Sequence, residues 1–204
     1  MIQKPVVILA NGTYPSHPFP LKEINEAGSI ICCDGSVNQL VKNGLTPHII
    51  IGDLDSIDPS IQSRYQEKII HIPDQAENDL RKAISWCEEN NIAKSIILGA
   101  TGKRDDHSLA NIFSLLQFPS KTKYTLMTDS GIFSIAETSH QFKSFKGQQV
   151  SLFSTDPSIK ITTTELKYNF ILDTISTLYS GSLNESINNF FTLFSILVFL
   201  FFPI

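Results

Sequence analysis

The chain has 204 residues, 42% of them apolar and 18% charged, with a formal net charge of −4. That length suits one large globular domain or two modest ones, and the acidic balance excludes the basic footprint of a nucleic-acid binder. The three cysteines, Cys32, Cys33 and Cys87, show no C-x-x-C spacing and no disulfide framework, which points to a reducing, cytoplasmic setting. Met1 to Ala10 lacks a basic segment followed by a long apolar stretch, so it reads as a first strand rather than a secretory signal.

Taken in order, Val6–Ala10 is an apolar, β-branched run broken by Asn11-Gly12. A helix is expected from Leu21 to Asn25, a strand over Ser29–Cys33 ending at Asp34-Gly35, and a helix over Ser36–Asn43. His48–Ile51 reads as a buried parallel strand ending at Gly52-Asp53-Leu54-Asp55-Ser56. Ile69–Ile72 is a short strand closed by Pro73-Asp74. Asp79–Asn90 carries helical spacing in Leu80, Ala83, Ile84 and Cys87. Ser95–Leu98 is a strand closed by Gly99, Ser108–Leu116 a helix, and Tyr124–Thr128 a strand. Strands alternating with helices predict a parallel sheet with helical crossovers. After Gly131 the helical period fades, and Ile132–Ala136, Gln149–Phe153 and Ile159–Thr163 suggest a small all-β domain, or a β-sandwich completed by a partner. The boundary falls near residue 130, giving an α/β domain over 1–130 and a β-sandwich domain over 131–204. The uncharged stretch Phe190–Ile204 is too short to span a bilayer and reads as one or two buried strands.

The polar clusters all follow strands, where ligands bind in open α/β sheets. Asp53 and Asp55, spaced by one residue, would face one way in an extended segment and suit a Mg²⁺ site serving a phosphorylated substrate. The plainer reading is a polar turn capped by Ser56 before a helix. Asp74-Gln75-Ala76-Glu77-Asn78-Asp79 leads into a helix, where Asp79 suits the free amides and the dipole. Gln75 offers a donor and an acceptor to the edge of a heterocycle. Gly99 to His107 is a glycine-containing loop feeding Lys103 and Arg104 into a helix N-terminus, which is a phosphate site by free amides, dipole and cationic side chains. Arg104 is the favoured phosphate contact. Asp106 is a metal or orienting residue, or else an ion-pair partner of Arg104. His107 is a candidate base or a structural residue.

The set Gly-Asp-x-Asp-Ser, Asp-Gln-x-x-Asn-Asp and Gly-Ala-Thr-Gly-Lys-Arg-x-Asp-His resembles thiamine pyrophosphokinases. Asp34-Gly35 with Asn38, Leu166-Lys167-Tyr168 and Gly181-Ser182-Leu183-Asn184-Glu185 extend the likeness over nearly the whole chain. Two departures stand out. Asn78 replaces a threonine before Asp79, and Lys103 replaces a glycine before Arg104. The tail also lacks a glycine turn before its last strand.

The resemblance implies an N-terminal α/β (Rossmann-like) domain, a C-terminal β-sandwich and a homodimer with shared active sites. It implies transfer of the pyrophosphoryl group of ATP to the hydroxyl of thiamine, giving thiamine diphosphate and AMP, with Mg²⁺ as cofactor, while the net charge and the short apolar tail lead us to expect no nucleic-acid or membrane partner. Residues and resemblance together nominate Asp53, Asp55, Asp79, Arg104 and Asp106 as catalytic, with Asp53, Asp55 and Asp79 on the metal. The nominated cofactor-binding positions are Asn11, Asp34, Gly35, Asn38, Ser56, Asp74, Gln75 and Asn78, then Thr101, Gly102, His107 and Asn111. Ser182 and Asn184 join them from the partner's β-domain. Two rival readings are an aspartyl-phosphate phosphohydrolase, with Asp53 as nucleophile and Asp55 as acid/base, and a non-catalytic nucleotide- or thiamine-binding module.

Overall fold

The structure is a computed structural model and describes residues 2–117, 120–136, 138–178, 180–195 and 198–204. The chain forms two compact units, one of Met1–Leu115 with Pro119–Asp129 and one of Leu116–Phe118 with Ser130–Ile204.

The first unit runs β1 (Val6–Leu9), α1 (Pro18–Asn25), β2 (Ser29–Cys33), α2 (Ser36–Lys42), β3 (Ile49–Gly52), α3 (Pro59–Arg64), β4 (Ile69–His71), α4 (Asp79–Glu89), β5 (Lys94–Leu98), α5 (Asp105–Gln117) and β6 (Lys123–Met127). Its strands pair in the order β4-β3-β2-β1-β5-β6, all parallel. Val7 pairs with Ile30 on one side and Ile96 on the other. Every residue of β1 and β2 is buried, as a sheet covered on both faces requires. Ile8, Ile31, Ile50, Ile51, Ile97 and Leu98 have no exposed surface, each contributing roughly 1.5–3 kcal/mol of apolar burial. Strand order reverses between β1 and β5, with β2, β3 and β4 laid down on one side and β5 and β6 on the other, and ligands of such sheets bind at the strand ends beside that reversal.

Helix starts depart most from the sequence expectation. α1 begins at Pro18, not Leu21, because proline suits the first turn and the His17 side chain accepts from the Phe19 amide. α5 begins at Asp105, not Ser108, with two carboxylates in its first turn facing the positive dipole end. α3 answers to the helix that the plainer reading of the acidic turn placed after Ser56, but it starts at Pro59. It is capped by Asp58, whose carboxylate accepts from the Ser60 amide at 2.8 Å, and it opens with Pro59.

The second unit holds β7 (Gly131–Ala136), β8 (His140–Lys143), β9 (Gln149–Phe153), β10 (Lys160–Thr164), β11 (Asp173–Thr174), β12 (Asn184–Glu185), β13 (Phe190–Phe194) and β14 (Val198–Pro203). β12-β9-β14-β7 and β11-β10-β13-β8 are antiparallel sets. Between them lies a core of Val150, Leu152, Ile161, Phe191, Leu193, Val198 and Leu200. The apolar tail thus forms two strands, with residues 196–197 outside the described set. β14 lacks polar alternation because it is central, hydrogen-bonded to β7 and β9. Val198 and Leu200 join the sandwich core, while Phe199 stacks on Phe133 at 5.1 Å. Among the described residues no helix is long and apolar enough to cross a membrane.

Candidate active site

A cleft of about 370 Å³ opens where β1, β2, β3 and β5 end, lined by Asn11, Asp34, Asp53 and Thr101 from the loops that follow them. The β1 and β5 loops are laced together by backbone bonds, Gly12 N to Gly99 O at 2.6 Å and Thr13 N to Thr101 O at 2.8 Å. α4 adds Asn78, Asp79 and Lys82 to the wall, and α5 adds His107 and Asn111.

The acidic loop is a turn, not the extended segment expected. Leu54 takes φ +73° between Asp53 and Asp55, and the Asp55 amide approaches Asp53 Oδ1 at 3.4 Å. The carboxylates converge all the same. Asp34, Asp53 and Asp55 each bring an oxygen within 4.8 Å of the others. Asp34 is 2% exposed and also left-handed, at φ +41°. Its Oδ2 accepts from the Ser56 amide at 3.2 Å, while its Oδ1 is buried with no hydrogen-bond partner. Burial raises its pKa above the ordinary value, and the fields of Asp79 and Asp55 push the same way. Asp53 moves down instead, chiefly because Gln75 Nε2 donates to its Oδ2 at 2.7 Å.

Several nominated residues brace this loop without lining the cleft. Asn38 donates to Ser56 O at 2.8 Å and accepts from the Asp58 amide at 3.0 Å. A Cβ on Gly35 would lie 2.8 Å from Ser56 O and 2.9 Å from Asn11 Nδ2, so only glycine lets the three loops meet. Asp74 Oδ1 accepts from the Ala76 amide and closes its own turn. Ser56, which lines the cleft, donates to Asp55 Oδ1 at 2.7 Å, and Asp58 rather than Ser56 caps α3.

At α4 the cap is Asn78, whose Oδ1 accepts from the Arg81 amide at 2.9 Å, the role a threonine can also fill. Its Nδ2 reaches Asn111 Oδ1, and Asn111 Nδ2 donates to Ala100 O, tying α4, α5 and the β5 loop together. Asp79 is in the first turn, with the Lys82 ammonium 3.0 Å away. Lys82 was missed in the sequence, although its i,i+3 spacing from Asp79 is a readable pair signal. Its side chain is only 4% exposed.

In the β5–α5 loop Gly102 takes φ +102°, whereas Lys103 lies outside the left-handed region, so its side chain costs no backbone strain. Lys103 Nζ donates to Asn11 Oδ1 at 3.0 Å. Arg104 is paired with Asp106 by two bonds, Nε to Oδ1 at 3.1 Å and a terminal nitrogen to Oδ2 at 2.5 Å. That pairing lowers Asp106 to about 2 and raises Arg104.

Ser182 and Asn184 belong to the second unit. Asn184 is 3% exposed, and its amide brackets Tyr168, accepting from that residue's N–H at 3.1 Å and donating to its carbonyl at 2.7 Å.

Comparison with known proteins adds the family. The model described as "Thiamin pyrophosphokinase, catalytic domain" matches residues 21–128, and the one described as "Thiamin pyrophosphokinase, substrate-binding domain" matches residues 131–202. A thiamin pyrophosphokinase of Caenorhabditis elegans is 34% identical over 52% of this chain and 47% of its own length, so that match spans about half of the relative. A thiamine pyrophosphokinase of rice is 31% identical over 76% of this chain and 70% of its own. A solved Bacillus subtilis thiamine pyrophosphokinase shares the fold at TM-score 0.78 and 20% identity, over 97% of each chain. With both family domains matched in order across the two units, the chain belongs to the thiamine pyrophosphokinase family.

Proposed function

We propose that the chain moves the diphosphoryl group of ATP onto the hydroxyl of thiamine, releasing AMP. The observation that carries this is the convergence of an acidic cluster and a cation-bearing loop at one strand edge, in a chain of this family. The thiamine oxygen bonds to the β-phosphorus as the bond from that phosphorus to the α–β bridging oxygen breaks. AMP keeps that oxygen, and the hydroxyl proton goes to a carboxylate. Such transfers depend on in-line positioning and on answering charge on the phosphate oxygens.

Mg²⁺ fits the donor set, since it takes hard carboxylate oxygens and the buried Asp34 Oδ1 has no other partner. Asp53 and Asp55 would hold it together with Asp34, whose oxygen converges with theirs, and Asp79 lines the same cleft. A bound cation would supply neutralisation of the polyphosphate. Asp79, in the first turn of α4 and lining the cleft, is our candidate to receive the hydroxyl proton. Gln75 spends its Nε2 on Asp53, which leaves its Oε1 to accept from the amine of the pyrimidine. Asn11, Thr101 and Asn111 shape the nucleotide side of the cleft.

We further propose a cytoplasmic homodimer with shared sites. Support comes from three buried free cysteines and from large exposed apolar side chains on the second unit, Leu183 at 81%, Ile171 at 78% and Leu172 at 71%. Refolding Asp55→Asn chains together with Ser182→Ala chains, each of low activity alone, should restore activity in the mixture. Mass-verified heterodimers that stay at the parental level refute sharing.

Incubation with ATP, Mg²⁺ and thiamine tests the reaction itself. AMP and thiamine diphosphate should appear one for one. ADP or free phosphate in their place would overturn the reading, the latter in favour of a phosphohydrolase. No observation favours that rival or a non-catalytic binder.

A further inference from the structure

We propose that Lys103 grips the polyphosphate of the nucleotide, so that this chain discriminates nucleotides by their phosphate charge. The inference rests on the ATP reading above and names the side chain that answers the charge.

Among the described residues, Lys82, Lys103 and Arg104 are the lysine and arginine side chains that line the cleft. Two of the three are already neutralised. The Lys82 ammonium sits against Asp79 at 3.0 Å in the wall. The Arg104 guanidinium is held by Asp106, and both side chains are more than 60% exposed. To meet a phosphate, Arg104 must first give up two charge-assisted bonds. Lys103 has no carboxylate within 4 Å among the described residues, and its bond is to a neutral amide, Asn11 Oδ1. That bond uses one of three ammonium donors and is readily exchanged for a charged acceptor.

The opposite wall sharpens the point. Asp34, Asp53, Asp55, Glu77 and Asp79 line the same space, so a polyanion entering meets a surplus of negative charge. The cation whose charge is not spent is where that polyanion gains most. The Lys103–Asn11 bond spans 92 positions in sequence and joins the β5 and β1 loops. The ammonium is therefore anchored across the crevice at the strand-order reversal, where anionic groups of nucleotides bind in such sheets. Because Lys103 has an ordinary backbone conformation, its replacement imposes no backbone strain, and the backbone bonds from Gly12 to Gly99 and from Thr13 to Thr101 still join the two loops.

The experiment is calorimetric titration of the full chain with ATP, AMP and adenosine in magnesium buffer, for the unmodified chain, Lys103→Ala and Lys103→Arg. Lys103→Ala should weaken ATP about tenfold, AMP by under about threefold and adenosine not at all, since the attraction grows with ligand charge. Its remaining ATP binding should be less sensitive to salt. Lys103→Arg, which keeps the charge, should stay within about threefold of the unmodified chain. Equal losses for ATP and adenosine would mean a distorted site and would overturn the inference, as would no loss for ATP. ATP binding that is intact in Lys103→Ala removes this inference and leaves the proposed function standing. An unmodified chain that binds no ATP removes both.

Discussion

Replacing Asn184 with alanine separates a strut from a ligand contact. The side chain is 3% exposed and makes three bonds to backbone, accepting from the N–H of Tyr168 at 3.1 Å and of Glu185 at 2.9 Å and donating to the Tyr168 carbonyl at 2.7 Å. These bonds fix the chain at Tyr168 against the strand Asn184–Glu185, which pairs with Gln149 and Val150. Each is worth about 1 kcal/mol net, and up to about 3 where a partner is left buried and unsatisfied. Tyr168 is an exposed residue, at 63%, so water can replace part of what its backbone loses. The expected destabilisation is therefore about 2–4 kcal/mol. For a chain of this size that lowers the melting temperature by roughly 4–16 °C, at about 2–4 °C per kcal/mol. Thermal and urea unfolding followed by circular dichroism measure it, alongside the KM for thiamine. The reasoning fails if the variant melts within about 1 °C of the unmodified chain while the KM for thiamine rises tenfold or more. That result would make Asn184 a recognition residue whose backbone bonds are incidental.

Asp53→Asn and Asp55→Asn should each lower turnover at least about a hundredfold, the scale expected when charge stabilisation at a transferring phosphoryl group is lost. Folding should be nearly unchanged, because both carboxylates are partly or fully solvent-exposed; near-normal rates in either variant would remove that residue from the mechanism. Cys32, Cys33 and Cys87 are buried, and burial pushes the Cys32 and Cys87 thiols up to about 12. A disulfide reagent at pH 8 should find no reactive thiol in the folded chain and three after denaturation. With folded pKa values raised, the thiols' contribution to stability is intact below their ordinary unfolded value and is lost as pH climbs toward 12; prompt labelling of the folded chain contradicts this. Asp106, held at about 2 by Arg104, should titrate there by NMR and return toward the ordinary range in Arg104→Ala. Its depressed pKa means the pair's contribution is present above the ordinary carboxylate range and disappears as pH falls through about 2. An ordinary Asp106 midpoint in the unmodified chain would show that the pair does not form in solution.

What could be read from the sequence and what could not divide along a physical line. The parallel sheet was legible because its strands are buried on both faces and therefore appear as unbroken apolar runs, Val6–Leu9 and Ser29–Cys33 among them. β8, by contrast, is three-quarters exposed by residue class along His140–Lys143, and β11 and β12 have two residues each, too short for any period to register. The signal for α3 was present, since Asp58 before Pro59 is a cap followed by a first-turn proline; it lacked an apolar stripe because no residue of that helix is buried. The same line runs through the site. That Asp53, Asp55, Gln75 and Lys103 share one edge follows from strands all pointing one way. That Asp34 supplies the third converging oxygen does not, because it depends on a left-handed backbone at φ +41° and on burial that only the assembled loops create. Charge shows the distinction most clearly. A sequence states that a cation is present, and near neighbours such as Arg104 and Asp106 suggest which cations are already neutralised. Whether Lys103 is neutralised is decided by a partner 92 residues away. That partner is a neutral amide, so among the described lysine and arginine side chains of the cleft the one with no carboxylate partner is the residue that sequence reasoning ranked second.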